Sequence, residues 1–501
     1  MAHTVPPLKD PSLLIEKAWI NGAFVSSQTG QTFPVHDPAT GAVIGHCPDL
    51  TPPEVESAIA AAAAAFPSFR ATTGRSRSAL LRRWLDQVLS NADDLATLIT
   101  WESGKARADA RAEVSYAASY IEWFAEEAPR IHGSIIPASS GPGRCVCASR
   151  EPVGVCALIT PWNFPAAMVA RKVAPALAAG CAVVLKSAGE TPFTANALAE
   201  LAGRAGVPAG VLNVVTALGN TVAVGRLLSM DRRVKKLSFT GSTAVGKILM
   251  AQAAGTLKKL SMELGGNSPF IVFDDCKGLD DAVAGALAAK FRGSGQTCVA
   301  ANRIFVQEGI YDEFARRFTE KVEKFRVGGG FNEGVTHGPA IHERAVEKME
   351  QHVCDALAKG AKLMTGGKRL PELGGNFFAP TVLTGMTRDM LIFSEETFGP
   401  VAGLFAFSTE REVIELANDS EVGLAGYVFS GDVDRVYRVA DALEVGMVGI
   451  NTGIISDAVS PFGGVKESGF GREGSKYGIE DYTVLKAVTL CTKLDSDERG
   501  R

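Results

Sequence analysis

Nowhere in the chain do about 18 apolar residues run together, the length a membrane-spanning helix needs. The apolar stretch Ile59–Phe66 is short and Ala-rich, as in a packed helix. Blocks of like charge are also missing, and with a formal net charge of −4 there is no basic patch to mark a nucleic-acid or membrane-surface partner. No CxxC pair occurs among the nine cysteines. With an odd count, this argues against a zinc ribbon and a secreted disulfide framework, and no metal site is expected. Met1–Ser12 has neither an apolar signal core nor an Arg-rich amphipathic transit pattern, so a reducing compartment, the cytoplasm, is expected. Fixed-period repeats and low-complexity segments are absent too.

What is present is 46% hydrophobic and 21% charged residues, the balance of a soluble globular protein. A length of 501 residues exceeds one ordinary core, so two or three domains are expected. The charge balance points to a small-molecule enzyme or a neutral scaffold.

Long helical patterns cover Pro53–Phe69 and Arg75–Lys105. His132–Val153 has a different texture: Cys145-Val146-Cys147 and Gly141-Pro142-Gly143 suggest strands joined by a turn. From Gly154 short apolar runs alternate with helices, the signature of βαβ units. Strands are expected at Val155–Ile159, Ala182–Leu185, Val211–Val215, Val234–Phe239 and Leu260–Leu264, making one doubly wound sheet. Between the first two lies a helix with Pro165 near its first turn and Gly180 just past its end; another helix covers Thr194–Ala202. A second α/β unit begins at Asn267, with strands near Phe270–Phe273 and Ile304–Val306. Leu494–Arg501 is polar and expected to fray.

Four segments carry chemistry. Phe239–Gly246 sits where a strand turns into a helix; backbone N–H groups there attract a pyrophosphate, and Gly241 lets a ligand approach. Thr243 stands at the middle glycine position of GxGxxG, so alone the segment reads equally well as a structural turn. Phe291–Cys298 places Cys298 in a loop with Gly293 and Gly295, the setting of a partly exposed nucleophile. Most cysteines are small buried hydrophobes, but none of the other eight lies in such a loop. Met262–Asn267 puts Glu263 at the end of an apolar strand, either a general base tuned by burial or a solvated strand end. Thr160–Pro165 follows the first sheet strand; Asn163 there either donates to an oxyanion or forms a turn.

Together these segments resemble the aldehyde dehydrogenase superfamily, from about Trp19 to Leu490 and in the family's order. Lys186, Glu395–Pro400 and Pro461–Gly464 support the likeness. Within it the chain is similar to the succinate-semialdehyde dehydrogenases through Lys258–Phe273, Lys290–Val306, Val422–Tyr427, Glu444–Asn451 and Gly469–Gly478. The resemblance implies an α/β fold with a Rossmann-like cofactor domain (1–131 and 154–265), a second α/β catalytic domain (266–467) and a β-hairpin oligomerisation element (132–153 with 468–493), assembled as a homodimer or homotetramer. It implies that Cys298 attacks the aldehyde carbon, that the Asn163 amide and the Cys298 N–H hold the oxyanion, and that Glu263 activates water against the thioester. NADP or NAD would lie against Trp162, Gly241, Ser242, Thr243, Gly246 and Leu264, with Lys186 and Glu396 on its riboses and Phe398 by the nicotinamide. Arg171, Arg292 and Ser456 match the positions that hold the carboxylate of succinate semialdehyde. Read alone, Arg171 is a solvated helix face and Arg292 a helix C-terminal charge.

Three departures stand out. The usual Lys-Pro-Ala-Glu segment is Lys186-Ser187-Ala188-Gly189, so the carboxylate that grips the adenosine ribose is missing at Gly189; Ser187 and Lys186 then become candidates for a 2′-phosphate, with Glu190 next door. Ala300 stands where many relatives carry a second cysteine, so oxidation of Cys298 has no near partner. Asp457 adds a negative charge to the expected substrate funnel. Alternatives remain open: another semialdehyde or an aromatic or aliphatic aldehyde, acyl transfer to coenzyme A, or a catalytically silent homologue. Retention of Cys298 and Glu263 argues against the last two.

Overall fold

The computed structural model describes residues 5–139 and 144–491. Its first sheet has eight strands. The central five are parallel and lie side by side as Leu212–Val215, Ala182–Lys186, Val155–Ile159, Val234–Thr240 and Lys259–Glu263. These are the five expected strands, with ends shifted by a residue or so. Val155–Ile159 and Ala182–Lys186 are buried at every position, which is why they read as continuous apolar runs rather than alternating ones. Three strands escaped the sequence: Ala18–Ile20 and Ala23–Val25 add an antiparallel hairpin at one edge, and Gly469–Phe470 pairs antiparallel with Lys259–Glu263 at the other. Gly469–Phe470 therefore joins the first sheet, not the C-terminal strand with which it was grouped.

Because Val155–Ile159 is central, the chain winds outward from it one way through Leu212–Val215 and the other way through Lys259–Glu263. The order reverses between Val155–Ile159 and Val234–Thr240, and the carboxyl ends of strands at such a switch point open a crevice.

The expected helix Arg75–Lys105 is two helices, Gly74–Ser90 and Ala92–Ser103. Asn91 divides them: its amide donates to Gln87 O at 2.7 Å, a local bond that competes with continued helix. The second sheet has seven strands, in the order Lys362–Thr365, Thr381–Thr384, Val401–Phe407, Ala301–Gln307, Ser268–Val272, Ala425–Phe429 and Met447–Ile450, all parallel except the first. Two of these were expected. A third sheet joins Ser134–Pro137, Arg144–Pro152 and Thr483–Cys491, with Thr483 opposite Pro152 and Cys491 opposite Arg144. The expected turn at Gly141–Gly143 and the tail Leu494–Arg501 lie outside the described residues. No helix among the described residues is long and apolar enough to cross a membrane.

Candidate active site

Cys298 lies where the two large sheets meet. The helix Leu279–Phe291 ends and the chain takes three left-handed residues in succession, Gly293, Ser294 and Gly295, at φ +58°, +57° and +73°. A Cβ on Gly295 would stand 2.3 Å from Gly399 O, so glycine is needed there for space as well as for conformation. The base segment approaches from the first sheet in the same manner: a Cβ on Gly266 would stand 2.4 Å from Cys298 O. Gly266 thus brings the end of Lys259–Glu263 against the cysteine loop, and Gly265 before it faces Glu396 and Thr243.

Two cavities open on Cys298 and on Met168 beside it. The larger, about 200 Å³, is lined by Trp162, Asn163, Gly241, Ser242, Leu264, Glu396 and Phe398 among others. It occupies the crevice at the switch point, since Trp162 and Asn163 follow one strand and Gly241 and Ser242 the other. Trp162 meets Phe398 edge-on at 5.6 Å, and Phe398 has a left-handed backbone, φ +55°. Apolar rings, a helix N-terminus at Ser242 and a carboxylate at Glu396 suit a dinucleotide's nicotinamide, phosphate and ribose. The smaller cavity, about 20 Å³, has room for little more than one water and is lined by Tyr116, Phe164, Arg171, Arg292, Ser456 and Phe462 among others.

Burial pushes the Cys298 thiol up to about 12, with Arg171 pulling the other way. Asn163 donates its Nδ2 to Gln296 O at 2.9 Å, two residues before the thiol, and its Oδ1 has no partner. Glu263 is 2% exposed and neither carboxylate oxygen has a hydrogen-bond partner. Burial, and next the charge of Glu473, hold its carboxyl well above the usual range. Glu396 is likewise raised by burial, to about 7.

The remaining sequence candidates divide. Lys186 is buried and lowered to about 8 by that burial, with Glu190 and Asp49 opposing; Ser187 is buried with an unpartnered hydroxyl. Neither lines the cavity at Cys298. A Cβ on Gly189 would stand 2.7 Å from Leu218 Cδ1 and 3.2 Å from Leu218 Cβ, so Leu218 occupies the space that a side chain there would need. Thr243 accepts from Gly265 N at 3.3 Å and so ties a helix start to the base segment. Gly246 packs on Leu264, where a Cβ would come within 2.5 Å; its place is close helix–strand contact. Asp457 is exposed, does not line the small cavity, and accepts from Val459 N at 3.2 Å.

Arg171 is not a solvated helix face. It is 1% exposed, ion-paired with Glu473, and 4.5 Å from the Phe462 ring centre; its Nη2 has no hydrogen-bond partner. Lys172 pairs with the same carboxylate, which these two cations keep ionised against the cost of burial. Arg292 donates weakly to Ser456 Oγ at 3.5 Å. Sequence reasoning missed Glu473 and Lys172, and also Lys348, whose ammonium bonds Glu396 O. It missed the amides that hold the Glu396 segment as well: Asn302 bonds Asn267 Oδ1 and Glu395 O, each at 2.8 Å. No group of three or more metal-ligating side chains occurs among the described residues.

A family model described as "Aldehyde dehydrogenase family" matches residues 24–488. The chain is 54% identical over 483 residues to glutarate-semialdehyde dehydrogenase of Pseudomonas putida, covering 96% of this chain and 99% of that one. It is equally similar to the NADP(+) succinate-semialdehyde dehydrogenase GabD of Escherichia coli, 54% over 483 residues with the same coverage. The crystal structure of succinate-semialdehyde dehydrogenase from Burkholderia pseudomallei superposes with a TM-score of 0.95 at 56% identity, covering 97% of this chain and 100% of that one.

Proposed function

For this chain, which belongs to the aldehyde dehydrogenase family, we propose NAD(P)-dependent oxidation of a short aldehyde with an anionic far end, succinate semialdehyde to succinate foremost. The observation that carries the reading is the single thiol shared by two cavities. One suits a dinucleotide; the other presents Arg171, Arg292 and Ser456 to whatever Cys298 attacks. The dinucleotide, when bound, supplies the hydride acceptor. Trp162, Gly241, Ser242, Leu264, Glu396 and Phe398 would hold its nicotinamide half, and Lys186 and Ser187 its adenosine ribose.

The Cys298 thiol would give its proton to Glu263, which faces it and passes the proton on to solvent, and Sγ would add to the carbonyl carbon while the Asn163 amide donates to the oxygen. Loss of hydride from that carbon leaves a thioester on Cys298. Glu263 would take a proton from water, whose oxygen displaces the sulfur and releases the acid. Its unpartnered oxygens and raised proton affinity fit a base that must hold a proton briefly. A buried arginine, Arg171, and a half-buried one, Arg292, near one thiol suit a carboxylate through charge-assisted bonds. Equal identity to a glutarate-semialdehyde dehydrogenase makes the substrate one methylene longer the second reading.

We place the cofactor on the first sheet, the nucleophile on the second, and self-association on the third, where Ile135 and Leu485 are 77% and 66% exposed; light scattering tests dimer or tetramer. Nine free thiols fit a reducing cytoplasm. The deciding experiment is initial rates for four- and five-carbon aldehydes, with and without a terminal carboxylate, each with NAD and NADP. Equal kcat/KM for charged and uncharged members would overturn the substrate assignment.

A further inference from the structure

The Asn163 amide is useful only if its main chain is held still, and the helix that follows supplies no cap of its own. Ala166 stands at the N-cap of Ala167–Ala179 without a side-chain oxygen, so the first N–H groups need another acceptor. Glu113, from the helix Arg107–Glu127, provides it: Oε1 accepts from Ala166 N at 2.8 Å and from Ala167 N at 3.3 Å. Its other oxygen pairs with Lys105. Lys105 in turn donates to Asn163 O at 2.8 Å and lies 3.9 Å from the Phe164 ring centre.

The contacts close into a ring around Asn163. Its Nδ2 bonds Gln296 O, and Gln296 Nε2 bonds Pro339 O at 3.2 Å. Pro339 packs on Gly104, where a Cβ would stand 2.6 Å from the proline ring, and Gly104 precedes Lys105. The Lys105 and Glu113 side chains are only 6% and 0% exposed. A buried ion pair is a weak source of stability, because desolvation offsets the attraction, so its place beside the site calls for another explanation.

We propose that Lys105 and Glu113 are positioning residues for the oxyanion: they fix the main chain from Asn163 to Ala167 so that the Asn163 amide stays beside the Cys298 thiol. The inference rests on the role given to Asn163 above. Lys105 grips the carbonyl of the residue whose side chain does the work, and Glu113 fixes the peptides just beyond.

The test is the pre-steady-state burst of NADPH from succinate semialdehyde, which precedes thioester hydrolysis. Asn163→Ala should slow it about 10²–10³-fold, the usual cost of one oxyanion donor. Lys105→Met should slow it about 10–10²-fold by misplacing that donor, with NADP affinity unchanged. A purely structural role would not produce the next result: in the Asn163→Ala background, Lys105→Met should cost almost nothing more, since the two act through one group. Losses that multiply, or a wild-type burst in Lys105→Met beside a slow Asn163→Ala, overturn the inference alone. A wild-type burst in Asn163→Ala overturns the oxyanion reading and this inference with it. Glu113→Gln, which keeps an acceptor for Ala166 N–H, carries the same double-variant comparison if Lys105→Met does not fold.

Discussion

The two cavities that share Cys298 are built from different materials. On the cofactor side the walls are strand ends, a helix start and glycines at close approach, with rings for a floor. On the other side they are side chains, the rings of Tyr116, Phe164 and Phe462 with Arg171, held by Glu473, and Arg292, resting on Ser456. A backbone wall is set by the fold and suits a partner that is always the same. A side-chain wall can be rewritten by single substitutions, so substrate choice belongs on that side. Changes that strike the thiol between them should abolish turnover while leaving binding on either side, and changes confined to one wall should leave the other intact.

The largest effect is expected from Cys298→Ala, which should reduce turnover to background while dinucleotide binding, followed by fluorescence titration, persists. Measurable turnover would remove the thioester. Glu263→Gln should come next: a burst followed by turnover lowered about 10²–10⁴-fold, the range of a general base. For the unaltered protein the hydrolysis rate should rise with pH, because the raised carboxyl becomes a base only above its shifted value. The sign for folding is the reverse. A carboxyl with a higher proton affinity folded than unfolded stabilises the fold at low pH, and that contribution is lost as pH rises through the folded value. A flat profile of single-turnover hydrolysis would contradict the first, and a Tm that does not fall as pH rises would contradict the second.

Arg292→Ala separates the two walls. It should raise KM for succinate semialdehyde about 30-fold or more, as loss of a buried charge-assisted contact costs about 2–5 kcal/mol, and leave hexanal nearly unaffected. Arg171→Ala is a poorer probe than the sequence suggested: it also strips Glu473 of a partner and should lower Tm. The smallest effect is expected at the far end of the cofactor side. Gly189→Glu should shift preference from NADP toward NAD by charge repulsion, but only when paired with Leu218→Ala, which clears the packing contact. An unchanged NADP/NAD ratio in the double variant would show that Lys186 and Ser187 do not read the 2′-phosphate.

The legible parts of the molecule were those whose cause is local. Both faces of Val155–Ile159 and Ala182–Lys186 are buried, so their composition shows it; Cys298 stood out because its glycines answer a local backbone need. Gly469–Phe470 is too short for any period to show, and Ala18–Ile20 is held only by its neighbours. Glu473 lies in a stretch of glycine, serine and lysine that reads as exposed; its burial depends on Lys172, 301 residues away in sequence. The Lys105–Glu113 pair was hidden for the same reason, since Asn163 lies 58 residues from Lys105.

The near-closure of the cavity beside Arg292 also bears on how tightly a substrate binds. At about 20 Å³ it admits an acid tail only in molecules whose side chains have swung apart, and apparent affinity is the intrinsic affinity scaled by that open fraction. A cavity open in about one molecule in a hundred binds about a hundredfold more weakly than its contacts alone would give. Substitutions outside the lining, such as Tyr120→Phe, which removes the hydroxyl partner of Tyr116, should therefore move KM through local breathing. Affinity on this side is then partly a matter of how large a share of molecules stands open.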